Sequence, residues 1–162
     1  SIGARAESVM ERDPPVAHLH ETLARARDRV RVSGKHTLAV VDGDRIAAVL
    51  SAAVLEARCR AARDCDGVHM RDAVRPPVPY CYAEDTLATA RAALTLAAAG
   101  GIETGAVAVV DDARRLRGII AIDDLGEGLP GGAPRRLEDP TDRRHQESPN
   151  LTVYAPWATL DG

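Results

Sequence analysis

The chain has 162 residues, which is enough for one compact domain or for two small repeats that share a core. Apolar residues make up 45% and aromatic residues only 2%, so few rings are available to stack on single-stranded nucleic acid. The 21 basic residues are scattered among 24 acidic ones, and nonspecific nucleic-acid binding is therefore not predicted. No apolar run approaches the roughly 20 residues of a membrane-spanning helix, so no membrane partner is expected.

Three cysteines, Cys59, Cys65 and Cys81, form neither an even disulfide framework nor the paired ligand spacing of a zinc site. We therefore expect reduced, mostly structural thiols and a cytoplasmic location. His18 and His20 lie on one face of the predicted first strand, but the sequence places no third ligand near them, so no metal site is predicted.

The first half predicts a strand followed by a helix in which Leu23, Ala26 and Val30 recur at helical spacing before Gly34. Short apolar runs at 38–41 and 46–50, separated by a turn signal, predict a hairpin of buried strands. A second helix is expected over 52–64.

The second half repeats this order. Asp85 is the predicted N-cap of a helix that Gly100 and Gly101 end. Strands are predicted over 106–110 and 116–122, and a shorter helix from Asp123.

Three short matches show that the two halves are copies. Thr-Leu-Ala at 22–24 recurs at 86–88, Pro-Pro-Val at 14–16 recurs at 76–78, and Ala-Val-Val-Asp at 39–42 recurs at 108–111. Each copy is an α+β unit of about 60 residues in the order β-α-β-β-α, and two such units should pack strand face to strand face because one alone is too small for a durable core.

These patterns divide the chain into three parts. We predict the first repeat and a connecting helix over 1–65, the second repeat over 66–126, and a tail rich in glycine, proline and charge over 127–162. Apolar residues and the single tryptophan occur near the end of the tail, so residues 151–158 are a candidate docking segment.

The ordered matches resemble the CBS domain family. The closing strand of the second copy reads Gly-Ile-Ile-Ala-Ile-Asp-Asp-Leu over 118–125, and the first copy reads Ala-Val-Leu-Ser-Ala-Ala-Val-Leu over 48–55. The resemblance implies two CBS-type repeats packed with pseudo-two-fold symmetry, a homodimer, and a regulatory module that binds an adenosyl ligand such as AMP, ADP, ATP, NAD or S-adenosylmethionine and acts on an unknown effector protein.

The resemblance also assigns candidate ligand residues. Asp124 matches the acceptor of ribose hydroxyls and Ser51 matches the hydroxyl that contacts phosphate, whereas Ala121 and Val54 stand where the complementary hydroxyl and aspartate belong. Neither copy is complete, and one site per chain is expected, around Asp124. The adenine pocket is expected from residues of the two strands that precede the closing strand: Val78, Pro79, Tyr80, Ala106, Val107 and Ala108.

Simpler interpretations remain open for each candidate. Asp124 and Ser51 are also good helix caps, and Arg114, Arg115 and Arg117 are either phosphate ligands or solvated turn residues. We find no catalytic motif, so an enzyme is not predicted. The alternative function is a degenerate pair that serves only as a dimerisation scaffold.

Overall fold

The structure is a computed structural model, and it describes residues 3–128 and 151–153. The elements of the first half are α1 (Ala6–Val9), β1 (Val16–His18), α2 (Leu23–Ser33), β2 (Thr37–Asp42), β3 (Arg45–Ser51) and α3 (Ala52–Ala61). The second half has α4 (Met70–Ala73), β4 (Tyr80–Tyr82), α5 (Leu87–Ala99), β5 (Ala106–Val110), β6 (Leu116–Ala121), a 3-10 helix (Ile122–Gly128) and β7 (Thr152–Val153).

The long helix of each repeat begins at a threonine. The Thr22 hydroxyl accepts the Arg25 amide at 3.2 Å, and the Thr86 hydroxyl accepts the Thr89 amide at the same distance. The prediction of Asp85 as the N-cap is therefore wrong by one residue, because the Asp85 carboxylate instead accepts the Tyr82 amide at 2.8 Å and closes the preceding turn.

Each repeat builds its own sheet. In both, the first strand pairs in parallel with the second, and the second pairs antiparallel with the third, giving the orders β1-β2-β3-β7 and β4-β5-β6. Strand β1 ends at His18, so His20 lies in the following turn and not on the strand, although the two imidazole rings stack at 5.6 Å.

The two sheets pack face to face through a shared apolar core, as the sequence predicted. Fully buried side chains of both sheets form this core, among them Val41, Ile46 and Val49 of the first and Ala108 and Ile119 of the second. Helices α2 and α3 cover the outer face of the first sheet, and α5 covers that of the second. The α+β class and the paired β-α-β-β-α repeats are confirmed.

Each of the short helices α1 and α4 packs on the other repeat. Helix α1 packs on the second sheet, where Ala6 and Met10 join Cys81 and Ile120, while Met70 of α4 packs into the core of the first repeat. Matching contacts join Arg5 to Thr86 and His69 to Thr22, which is the expected result of a pseudo-two-fold axis. The division at residues 65 and 126 stays a proposal, and this packing crosses it.

Strand β7 lies at the edge of the first sheet and reaches the second. It pairs in parallel with β3, and the Thr152 amide donates to the Asp44 carbonyl at 3.1 Å. The Val153 amide donates to the Arg114 carbonyl at 3.0 Å. Residues 154–158 of the predicted docking segment lie outside the described residues.

An ion pair at the start of the first repeat should make stability depend on pH. The Arg29 guanidinium donates to both Glu21 oxygens, at 2.8 and 2.6 Å, and lowers the Glu21 pKa from 4.5 to about 2. Because the folded-state pKa is depressed, the ion pair contributes fully to the free energy of unfolding above the unfolded-state pKa. This contribution disappears as pH falls through about 2. Urea unfolding should give wild type a larger free energy of unfolding than Glu21→Gln, and this difference should shrink as pH falls from 4.5 to about 2. The stability of Arg29→Gln should lack this pH dependence, because the cation of the pair is gone. A difference between wild type and Glu21→Gln that stays constant with pH would contradict the effect of the ion pair on the Glu21 pKa.

Candidate ligand site between the two repeats

The end of β3 is tied to the second repeat at the start of α3. The Ser51 hydroxyl accepts the Val54 amide at 3.1 Å and so caps α3, while the Ser51 amide donates to the Thr104 carbonyl at 2.9 Å. The buried Thr104 hydroxyl in turn donates to the Ala106 carbonyl at 2.8 Å. The first repeat therefore meets the segment that leads into β5 through a main-chain hydrogen bond.

A cavity of about 250 Å³ opens beside this junction, and we call it the inter-repeat cavity. Its wall combines β3, α3, the end of α4 with the segment that follows it, and the segment ahead of β5. The lining residues are Ala48, Leu50, Arg58, Asp72, Ala73, Val74, Arg75, Gly101, Ile102, Glu103 and Thr104.

Two arginines shape the polar side of the inter-repeat cavity. Arg58 donates to the carbonyl oxygens of Ala73 and Glu103, both at 2.5 Å, and Arg75 donates to the Gly101 carbonyl at 3.1 Å. Burial lowers the pKa of Arg58, which means that its charge is partly desolvated. A desolvated guanidinium bonded to neutral carbonyls favours an anionic group nearby.

The residues of the predicted adenine pocket lie on both faces of the second sheet and on the segment ahead of it. Val78, Tyr80, Ala106 and Ala108 belong to the core between the sheets, whereas Val107 lies on the opposite face, under α5. Val78, Pro79 and Tyr80 also line an apolar cavity of about 380 Å³ against α5.

The predicted polar ligands also lie apart. Ala121 pairs with Ala106 at the end of β6, and Asp124 lies half-buried in the 3-10 helix that follows. Ser51 caps α3 beside the inter-repeat cavity, and Asp124 is not among the residues that line it. The ligand roles of all these residues stay predictions. Arg58 and Arg75 could not be predicted as site residues, because they fall in no recognisable motif.

The three predicted phosphate arginines differ in their surroundings. Arg115 forms an ion pair with Asp111 at 3.0 Å, Arg117 is exposed on β6, and Arg114 occupies the turn with φ of +62°. None of them lines the inter-repeat cavity.

The three cysteines are free thiols. Burial raises the pKa of Cys59 to about 11, with a further contribution from a hydrogen bond to Cys65, and burial raises that of Cys81 to about 12. Within residues 3–128 and 151–153, no group of three or more potential metal ligands occurs, and no helix has the length and apolar character of a membrane span.

The fold and the cavity define a class of protein: a pair of β-α-β-β-α repeats, joined face to face, with a cleft between them. Residues 70–130 match the family model described as CBS domain. The chain also has the fold of a tandem CBS pair, as the sequence resemblance implied. No curated protein matches the chain.

Solved structures of CBS proteins share this fold. The CBS domain pair of protein MJ0100, in complex with 5'-methylthioadenosine and S-adenosyl-L-methionine, is 17% identical with a TM-score of 0.59, over 79% of this chain and 97% of that one. The CBS domain protein TA0289 from Thermoplasma acidophilum is 24% identical with a TM-score of 0.60, over 78% and 69%. The CBS domain of a bacterial CNNM/CorC family Mg²⁺ transporter, in complex with ATP, is 16% identical with a TM-score of 0.54, over 79% and 88%.

Proposed function

We propose that this protein is a regulatory ligand-sensing module that binds an adenine nucleotide or a related adenosyl ligand in the cleft between its CBS repeats. The observation that carries the proposal is the inter-repeat cavity, whose wall comes from both repeats and from the segment that joins them. A ligand there would contact both repeats at once. Structurally similar CBS proteins that hold S-adenosyl-L-methionine or ATP support the choice of ligand class.

The chemistry of the inter-repeat cavity suits a nucleotide. Arg58 and Arg75 supply cationic donors for a phosphate, and the carboxylates of Asp72 and Glu103 are acceptors for ribose hydroxyls. A purely apolar ligand would form no hydrogen bonds with these charged groups and so would bind less favourably.

The size of the cavity indicates how binding would be sensed. Its volume of about 250 Å³ is below the roughly 300 Å³ at which small-molecule pockets usually begin. A whole nucleotide would therefore have to widen the cleft, which shifts the packing of the two repeats. A switch of this kind requires different affinities for the two arrangements, typically about 1 to 3 kcal/mol of coupling.

We further propose that the module works without catalysis, in the cytoplasm, as a homodimer that passes its ligand state to an effector protein. Light scattering should give the mass of a dimer at micromolar concentration. A monomer at high micromolar concentration would contradict this part of the proposal.

The test is calorimetric titration with AMP, ADP, ATP, NAD and S-adenosylmethionine. At least one of them should bind, and Arg58→Gln should weaken that binding by about tenfold if the ligand occupies the inter-repeat cavity, because a charged hydrogen-bonding partner is removed. Asp124→Ala should have this effect instead if the ligand lies at the end of β6. Arg63→Gln, at an exposed position on the same repeat, is the matched control and should change nothing.

The alternative is a degenerate pair that acts only as a dimerisation scaffold. It is favoured by Ala121 and Val54, which replace the hydroxyl and the carboxylate of the two half-motifs. Absence of binding by all five ligands at millimolar concentration would overturn the sensor and leave the scaffold.

A further inference from the structure

The two ends of the cleft differ although the repeats match in spacing, because α1 and α4 correspond with an offset of 64 and so do β1 and β4. The difference lies in the segment 10–13, between α1 and β1, which we call the N-terminal bulge. Within it, the Glu11 amide donates to the Ile119 carbonyl at 2.7 Å and the Ile119 amide donates back at 3.0 Å.

Gly118 allows the N-terminal bulge to approach β6 this closely. A Cβ atom on Gly118 would lie 2.7 Å from the Glu11 carbonyl oxygen and 2.8 Å from the Met10 side chain. The corresponding residue of β3 is Ala48, which lines the open inter-repeat cavity. The end of the cleft beside Gly118, on the strand that is followed by the helix of Asp124, is thus filled by the chain itself, while the end beside Ala48 is open. We call the filled end the Asp124 end.

The carboxylate of Glu11 occupies hydrogen-bond donors at the start of β2. It accepts the His36 amide at 2.8 and 3.1 Å and the Thr37 hydroxyl at 2.7 Å, and Thr37 is fully buried. An amide and a hydroxyl that donate to a carboxylate can donate to a phosphate oxygen by the same chemistry.

The rest of the N-terminal bulge is held in a strained form. The Lys35 ammonium donates to the carbonyl oxygens of Arg12 and Asp13, at 2.5 and 3.1 Å. Asp13 has φ of +50°, a left-handed conformation that is unfavourable for a residue with a side chain and more so before a proline. Strain of this kind persists only where surrounding contacts enforce it, so losing the Glu11 contacts should allow the bulge to lift.

We propose that Glu11 is an internal competitor, whose carboxylate excludes the anionic group of a phosphorylated ligand from the Asp124 end of the cleft. This inference rests on the proposed function, because it concerns the regulation of the same cleft. A ligand at this end must displace Glu11, so its apparent affinity is reduced by the fraction of molecules in which the bulge has lifted. The open inter-repeat cavity carries no such restriction.

The experiment compares AMP titrations of the full chain as wild type, Glu11→Ala and Glu11→Ala/Asp124→Ala. Glu11→Ala should gain one AMP site, or on the order of tenfold in affinity, because the competitor is gone. The added Asp124→Ala should abolish that gain. Glu7→Ala removes the same charge from α1 and should behave as wild type. Adenosine, which has no phosphate, should gain much less than AMP from Glu11→Ala.

Two measurements distinguish a failure of the proposed function from a failure of the competitor. Wild-type binding reports on the proposed function, and the difference between Glu11→Ala and wild type reports on the competitor. Equal stoichiometry and affinity in these two proteins would overturn the competitor, whether or not the wild type binds AMP. If thermal melts show that Glu11→Ala is unfolded, Glu11→Gln replaces it, because it keeps the side-chain length and removes the charge. It should give a smaller gain in the same direction, and no gain would overturn the proposal.

Discussion

Replacing Leu55 by alanine is expected to lower the free energy of unfolding by about 2 to 5 kcal/mol. Leu55 is fully buried on α3, in the core that this helix shares with α2 and the first sheet. The substitution removes three carbon atoms and leaves a cavity that the packed neighbours cannot fill completely. Urea denaturation followed by circular dichroism measures the change.

Leu96→Ala is the matched control for this prediction. It makes the same chemical change on another helix, α5, where the side chain is 77% exposed. Surface substitutions of this kind change stability by about 0.5 kcal/mol or less. Equal losses for the two variants would mean that α3 does not pack on the first sheet as described.

Gly105→Ala is expected to lower stability by about 2 to 5 kcal/mol through two separate effects. Gly105 has φ of +69°, and a side chain in this left-handed conformation costs about 1 to 2 kcal/mol. The new Cβ would also lie 2.5 Å from the Ser51 hydroxyl oxygen and 2.7 Å from a Val54 methyl group. Forcing these groups apart adds about 1 to 3 kcal/mol and disturbs the start of α3.

Gly43→Ala separates the two effects. Gly43 has φ of +65°, but apart from its own chain neighbours no residue has an atom within 4 Å of the position its Cβ would take. It should therefore lose only the conformational part, about 1 to 2 kcal/mol. The excess loss in Gly105→Ala measures the contact between the segment ahead of β5 and the start of α3, and no excess would contradict that contact.

The repeat architecture was predictable because local patterns determine it. Apolar periodicity located α2 and α5, and continuous apolar runs located β2 and β5, which are buried on both faces. Helix ends were less certain. Asp85 and Thr86 are both good N-cap residues, and only the fold decides that Thr86 caps α5 while Asp85 closes a turn.

The polar geometry of the cleft could not be predicted from the sequence. Arg58 reaches Glu103 across 45 positions in the chain, and Glu11 reaches Thr37 across 26. Such pairs form only after the two sheets have packed, so no local pattern records them. The resemblance predicted a site around Asp124, whereas the open cavity lies at the end of the cleft where β3 meets the segment ahead of β5.

The three residues at 151–153 have a consequence for self-association. Through their main chain they pair with the first two residues of β3 and also bond to Leu116 and Arg114, at the edge of the second sheet. An uncovered strand edge presents a row of free amide and carbonyl groups that another chain can extend into a larger sheet. Because residues 151–153 bond to the start of β3 and to the second sheet, we expect them to hinder edge-to-edge aggregation at this end of the molecule.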